Sequence, residues 1–211
     1  MVPLIARAGT AGSRARHALS SAERGTSLLE MLFVVWIIGI VCAISAPHLL
    51  SALDDLRTRA AARYLAGRFQ DARFEAVKRS RRVGVRFSAD GGDFRLGTFA
   101  DGNRNGLRTT EIARGTDPAL ASDVGLASLF PHVRVAIDAD VPLIDGGGSG
   151  SDPVRIGSSN ILTFSPDGTS SAGSIYVRGD GGAQYAVRVL GATGRTRVLK
   201  YQRSSRAWKE M

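Results

Sequence analysis

The residues of this chain that could do chemistry are sparse. Its three histidines, His17, His48 and His132, stand far apart along the sequence. None has a second histidine, a cysteine or a carboxylate at the spacing that metal ligands use, and none is paired with a candidate nucleophile. We therefore predict that the protein is not an enzyme, holds no metal and needs no cofactor.

A polar segment, Asp101 to Gly106, is similar to the first half of a calcium-binding loop. It has oxygen-bearing side chains at alternate positions and a glycine at its sixth place. However, Ile112 holds the closing position, Glu111 comes one place early, and Arg104 puts a positive charge inside the loop. Because such loops close with a bidentate glutamate, the mismatch favours a polar turn over a calcium site.

Glu30 is the only charged residue between Leu28 and Ala46. As a helix that rises about 1.5 Å per residue, this run is just long enough to cross a hydrocarbon layer about 30 Å thick. A carboxylate in such a helix costs about 2.5 to 3.5 kcal/mol at the bilayer centre and less near an end. We therefore predict one membrane span, residues 28–46, in which Glu30 has a partner charge.

Gly25 and Thr26, just before the span, suggest where that charge comes from. A glycine lets the backbone approach a protease closely, and cleavage after Gly25 would create an α-ammonium on Thr26, close to Glu30 in the sequence. In an assembly of several chains, each ammonium would pair with the glutamate of a neighbour inside the apolar bundle. Residues 1–25 are rich in Ala, Arg, Gly and Ser, so we interpret them as a removable leader.

This pattern resembles that of the class III prepilins, which are the type IV pilins and the pseudopilins of type II secretion. Their signature is a basic leader ending in Gly, cleavage after that Gly, Glu as the fifth mature residue, and an apolar helix. Gly39 and Pro47 also stand where the family usually has Gly and Pro, whereas Thr26 departs from its usual Phe. The resemblance implies cleavage by prepilin peptidase between Gly25 and Thr26, N-methylation of Thr26, and assembly with other pilins or pseudopilins through Glu30.

The same resemblance implies where the protein lies. The prepilin protease works on the cytoplasmic side of the inner membrane, so the leader would be cytoplasmic and the C-terminal domain periplasmic, on a single-pass protein that later joins a filament. Charge alone sets the orientation weakly, because arginines lie on both sides of the span. The only cysteine, Cys42, is inside the span, so packing rather than a disulfide must stabilise the domain.

Hydrophobic periodicity predicts an α+β fold, in which a long helix over residues 26–80 precedes an antiparallel β domain over 81–211. Beyond Pro47 the helix has apolar residues every three or four positions, which is typical of an amphipathic helix. We expect its stretch from Tyr64 to Ala76 to pack on the chain's own sheet and the apolar start to pack on neighbouring subunits. The charged face, which includes Asp54 and Asp55, is predicted to be solvated.

Beyond Arg82 the apolar period changes to two, which is typical of strands. Ala89-Asp90-Gly91-Gly92 is a hairpin signal between the first two runs. The glycine-rich segment 145–152 is predicted to be a flexible loop within the domain. The predicted strands are 83–88, 93–99, 133–137, 161–165, 174–178, 185–190 and 196–201.

Motifs in the soluble part narrow the resemblance to the GspH/FimT group of minor pseudopilins and minor pilins. That group has a long N-terminal helix packed on a β-sandwich of two antiparallel sheets, so the resemblance implies the same fold here. It also implies a minor, structural subunit of a type II secretion pseudopilus or a type IV pilus. The motifs are the helix end at 75–79, the turn at 99–106, the stretch 162–168 and the terminal Thr193-Gly194-Arg195-Thr196-Arg197.

Two alternative functions remain. A Gly-Arg-x-Arg element in FimT-type minor pilins of naturally competent bacteria is associated with DNA binding, which here would involve Arg195, Arg197 and Lys200. The net charge of +9 is compatible with an anionic partner, although secretion pseudopilins of the group have similar endings. The other alternative is a single-span sensor or anchored binding protein that keeps its leader and never polymerises.

Overall fold

The structure is a computed structural model that describes residues 27–146 and 148–211. The chain divides into two compact units, with the boundary between Ala43 and Ile44. The described helices are α1 (Leu28–Arg79), α2 (Thr109–Arg114) and α3 (Leu126–Leu129). The described strands are β1 (Val83–Asp90), β2 (Asp93–Ala100), β3 (Ala119–Gly125), β4 (Val133–Arg134), β5 (Val154–Arg155), β6 (Ile161–Phe164), β7 (Gly173–Gly179), β8 (Gln184–Leu190), β9 (Arg195–Gln202) and β10 (Ala207–Glu210).

In the first unit, the described residues are Ser27 and the start of α1. The Met31 N–H donates to the Ser27 carbonyl over 3.1 Å, which closes the first turn of the helix. The described helix α1 begins at Leu28, and Thr26, where the helix was predicted to start, lies outside the described residues. Every residue described in this unit is exposed, so this stretch contributes nothing to a hydrophobic core in the described chain.

In the second unit, the rest of α1 turns one face into the core. The buried positions recur every three or four residues, as an amphipathic helix requires. This confirms that the helix between Tyr64 and Ala76 packs within its own domain. The fully buried apolar residues of this face are Ala61, Ala62, Leu65, Phe69, Ala72 and Ala76.

Two antiparallel sheets supply the rest of the core. One has the strand order β3-β2-β1-β6, and the other has the order β10-β9-β8-β7-β4, with β5 also pairing with β7. Val83 and Val85 from the first sheet and Val177 and Val187 from the second lie in one apolar cluster with the buried face of α1. The predicted α+β fold, a long helix on two antiparallel sheets, is confirmed.

A second, smaller apolar cluster covers the other face of the six-stranded sheet. The segment before β5 crosses this face, where Leu143 packs with Tyr176 and Ala186, and Trp208 lies against them. Two hydrogen bonds fix the crossing segment: the Trp208 indole donates to the Pro142 carbonyl over 2.7 Å, and the Tyr176 hydroxyl accepts from the Ile144 N–H over 3.0 Å. The loop predicted to be flexible therefore follows a segment that is well tied to the sheet.

Five described elements were not predicted. The strand β3 is made mostly of Ala, Ser, Asp and Gly, which have weak strand propensity, and it forms because it extends the edge of the sheet beside β2. The strand β5 has two residues and pairs with the longer β7, and β10 has four residues and pairs with the longer β9. The short helices α2 and α3 have no periodicity to detect. The strand predicted over 133–137 is shorter than expected and ends at Arg134.

Candidate functional site: an unburied apolar helix and its base

The start of α1 presents apolar side chains around its whole circumference. Leu28 is 83% exposed, Phe33 56% and Trp36 63%, and the window of the helix that is long and apolar enough to span a membrane has no buried residue. Burial of each large apolar side chain is favourable by about 1.5 to 3 kcal/mol of free energy, and this stabilisation is absent while the side chain stays in water. This segment therefore requires lipid or other apolar helices around it.

Glu30 lies in the first turn of this helix and is exposed. A negative charge is favourable in a first turn, because unpaired N–H groups make that end of the helix partly positive. Gly25 and Thr26, the residues of the predicted cleavage site, lie outside the described residues. The structure therefore describes the Glu30 carboxylate at the start of the helix, and the predicted cleavage site stays a prediction from the sequence.

Asp54 lies further along α1, in the second unit, and is 91% buried against the turn between β7 and β8. Its Oδ2 accepts a hydrogen bond from the Ala183 N–H over 3.1 Å. Gly179 and Gly181 leave the room for this carboxylate, since a Cβ on Gly181 would lie 2.8 Å from the Asp54 Cγ. The prediction that this aspartate is solvated is wrong, because a glycine turn of the domain closes over it.

Asp55 contacts two other strands of the same sheet. Its Oδ1 accepts from the Tyr185 hydroxyl on β8 over 2.9 Å and lies 2.6 Å from the Lys200 Nζ on β9. Burial raises the pKa of Tyr185 far above its ordinary value, and the hydrogen bond to the Asp55 carboxylate raises it further. This aspartate was also predicted to be solvated, and that prediction is wrong because its carboxylate is only partly exposed and is paired with Tyr185 and Lys200. Both carboxylates therefore fasten α1 to the six-stranded sheet.

A family model described as type II transport protein GspH matches residues 61–194. The chain belongs to the GspH family. The match includes the buried half of α1 and most of both sheets, and it confirms the resemblance predicted from the sequence motifs. The protein is therefore a GspH-type minor pseudopilin of type II secretion, a membrane-anchored member of a structural family whose subunits associate with other pseudopilins.

A solved structure, the minor pseudopilin EpsH from the type II secretion system of Vibrio cholerae, is similar to this chain. The identity is 14% and the TM-score is 0.43, over 68% of this chain and 97% of that one. A search of curated proteins found no match.

The three residues of the predicted DNA patch do not share one surface of the GspH domain. Arg195 and Arg197 lie on the same face of β9, as predicted, opposite Leu190 and Arg188 of β8. Arg197 is already paired, since its Nη1 is 3.3 Å from the Glu210 carboxylate. Lys200 points to the other face of the sheet, toward Asp55. The Gly-Arg-x-Arg element therefore offers two arginines, and Lys200 does not extend them.

The turn that is similar to a calcium loop is held by its own hydrogen bonds. Asp101 is buried, and its two carboxylate oxygens accept from the N–H groups of Arg104 and Gly106 over 2.7 and 2.8 Å. Asn103 and Asn105 donate their side-chain amides to Glu111. Because these carboxylates already have protein donors, the arrangement supports the predicted polar turn.

The histidines do not build a site among the described residues. His48 is exposed on α1, and His17 lies outside the described part of the chain. His132 is 3.3 Å from Asp180, whose carboxylate also binds Arg134; the Arg134 guanidinium holds the pKa of Asp180 below its usual range. Residues 27–146 and 148–211 contain no group of three or more His, Cys, Asp or Glu residues that could hold a metal.

Proposed function

We propose that the protein functions as a structural, non-enzymatic subunit at or near the tip of a type II secretion pseudopilus, where its apolar helix packs with the helices of other pseudopilins. The observation that supports this is the exposed apolar start of α1, with Glu30 in its first turn, on a chain of the GspH family. A helix of this kind is stable only in lipid or in an apolar helical bundle.

Processing prepares the helix for assembly. Prepilin peptidase cleaves between Gly25 and Thr26, Thr26 is N-methylated, and the helix stays in the inner membrane with its C-terminal domain in the periplasm. The α-ammonium of Thr26 and the Glu30 carboxylate are then complementary charges at one end of an apolar helix. Pairing each with a neighbouring subunit removes the cost of an isolated charge in an apolar surrounding.

Replacing Glu30 tests the assembly step. In cells that contain the other pseudopilins, Glu30→Ala is expected to leave cleavage unchanged and to reduce by about tenfold the amount of pseudopilin crosslinked to this chain, because loss of the carboxylate leaves a buried ammonium unpaired. Glu30→Asp is the matched control and should retain part of the crosslinking. Equal crosslinking of Glu30→Ala and the unaltered chain would contradict the proposed role of Glu30 and favour an anchored sensor.

A further inference from the structure

Four strands of the six-stranded sheet carry a row of polar side chains on the face opposite the main core. Arg155 of β5 pairs with Ser174 of β7, Ser174 with Arg188 of β8, and Arg188 with Arg197 of β9. Residues paired across antiparallel strands point to the same face, so their side chains stand side by side. We call Arg155, Arg188 and Arg197 the arginine row.

The arginine row is costly for the fold. Like charges directly opposite each other on neighbouring strands are destabilising, and Arg188 stands directly opposite Arg197. The chain offsets this with its own carboxylates. Asp145 lies 2.9 Å from the Arg188 guanidinium and accepts from the Ser174 hydroxyl over 3.4 Å, and Glu210 lies 3.3 Å from the Arg197 guanidinium. The arginine row can therefore bind carboxylates, and Arg188 and Arg197 each bind one from the chain itself.

A groove of about 470 Å³ opens beside the row and is lined by Arg155, Arg188, Ser174, Asp145 and Asp152. Among the described residues, Arg155 makes no ion pair, although it is only partly exposed. Ser174 is buried at the floor of the groove, between the two arginines. In the described part of this groove, Arg155 has no carboxylate partner, and Arg188 is paired with Asp145, which lies in a loop.

We propose that the arginine row binds an acidic, extended segment of a partner protein. Carboxylates of that segment displace Asp145 and Glu210 and also reach Arg155, with the paired N–H geometry that guanidinium groups offer to carboxylates. Adjacent strands are about 4.8 Å apart, and alternate side chains of an extended segment are about 6.8 Å apart, so a segment laid across the strands can meet several of these arginines. This site lies in the β domain and does not depend on the assembly role of Glu30.

A peptide suits this groove better than duplex DNA does. A duplex carries a charge about every 1.7 Å along its axis and is bound by broad positive surfaces that meet many phosphates. Here the positive charge is a single row, in which Asp145 pairs with Arg188 and Glu210 pairs with Arg197, and Asp152 lines the same groove. A flexible segment with a few carboxylates can fit between these acids, whereas a rigid line of phosphates would run over them.

The test uses the full chain in detergent micelles and a fluorescein-labelled peptide of eight glutamates, followed by fluorescence anisotropy at low salt. Arg155→Gln with Arg188→Gln should weaken binding by at least about tenfold, because two charge-assisted contacts are lost. Asp145→Asn with Glu210→Gln should tighten binding by about threefold to tenfold, because the competing carboxylates are removed. Arg155→Gln alone leaves no internal carboxylate unpaired, so it should weaken binding without affecting folding.

The matched control is Arg57→Gln with Arg114→Gln, which removes the same charge from exposed positions outside the row. Affinity in this control should stay close to that of the unaltered chain. An equal loss in the control would show that binding follows overall charge, and an unchanged affinity in the Arg155/Arg188 variant would remove the row from the site. Tighter binding of a DNA duplex than of the peptide, lost with the same two arginines, would overturn the proposal in favour of a nucleic-acid site.

Discussion

Asp54 and Asp55 are adjacent in α1, yet they bind different parts of the six-stranded sheet. Successive residues of a helix point about 100° apart, so one carboxylate reaches the glycine turn after β7 and the other reaches β8 and β9. Asp54 receives one backbone N–H, and Asp55 receives a hydroxyl and an ammonium. Together the two carboxylates hold the helix against the sheet at two points. Because hydrogen bonds are directional and apolar contacts are not, these contacts also fix the orientation of the helix on the sheet.

Removing the Asp54 carboxylate should destabilise the domain. Asp54→Ala leaves the Ala183 N–H without its acceptor in a buried place, so we expect the free energy of unfolding to fall by about 1 to 3 kcal/mol. The measurement is urea-induced unfolding of the full chain in detergent, followed by circular dichroism. Asp71→Ala is the control: Asp71 is exposed on the same helix, and its loss should cost less than about 0.5 kcal/mol. Equal stability of the two variants would contradict the buried role of Asp54.

Tyr185 should make the fold sensitive to alkaline pH. Its pKa is raised in the folded protein, so the folded state keeps the phenol proton at pH values where the unfolded state loses it. Its contribution to stability is therefore complete below about pH 10, the ordinary tyrosine pKa, and is lost as the pH rises through the folded pKa. Between pH 9 and 11 the unaltered chain should lose more stability than Tyr185→Phe does. The same loss in both would show that groups other than Tyr185 cause the alkaline change.

At the residue scale, the sequence placed Glu30 in the first turn of a helix and Arg195 and Arg197 on one face of a strand, because helix and strand geometry are local. The roles of these residues in assembly and in DNA binding stay predictions. The sequence misassigned Asp54, Asp55 and Lys200. Their positions on an amphipathic helix and a surface strand gave no sign that they meet, since the contacts join residues more than a hundred positions apart in the chain. The local sequence around an aspartate is the same whether its carboxylate is solvated or contacts a glycine turn or a tyrosine hydroxyl far away in the chain.

At the scale of the elements, the C-terminal end of α1 shows an unusual residue. Ser80 has φ of 49°, in the left-handed region that favours glycine, and the Arg81 N–H donates to the Ala76 carbonyl over 3.2 Å. This backbone bond is the common way to end a helix, but it is usually made around a glycine. Lys78 and Arg79 in the last turn, which the sequence placed there, add favourable charges at the carbonyl end.

Ser80→Gly should therefore stabilise the protein. The left-handed backbone costs a residue with a Cβ about 1 to 2 kcal/mol, and the greater freedom of glycine in the unfolded chain offsets part of that gain, so we expect a net increase of about 0.5 to 1 kcal/mol. The measurement is the midpoint of urea unfolding. Ser80→Ala keeps the Cβ and should give no such increase. A lower midpoint for Ser80→Gly would show that the serine side chain supports the helix end.

The elements that the sequence predicted have a clear pattern of their own. The helix beyond Pro47, the hairpin of β1 and β2, and the strands β6 to β9 show a period of 3.6 or 2, and the start of α1 is an unbroken apolar run. The strand β3 was missed because its alanines, serine and glycine form a strand only when β2 lies beside them. The crossing segment with Leu143 was missed for a similar reason, since its apolar residues are too few to show a period and pack only on a sheet that is already formed.

At the scale of the whole molecule, the chain has two compact units with different sources of stability. The unit from Ile44 onward has a core of its own, and both described sheets and the buried face of α1 contribute to it. The described part of the first unit has no buried residue. It therefore relies on surroundings that the single chain does not supply, which is what an assembled, membrane-anchored subunit requires. The second compact unit begins within α1, at Ile44, and includes both described sheets.

In the proposed function, the mature chain begins at Thr26, and its new ammonium group pairs with the Glu30 carboxylates of neighbouring subunits. Mass spectrometry of the N-terminus, on protein purified from cells that contain prepilin peptidase, tests this most directly. We expect an N-terminal peptide that starts at Thr26 and carries one added methyl group, and we expect Gly25→Ala to reduce this cleavage. A chain that keeps Met1, or that begins at any residue other than Thr26, would rule out the proposed processing.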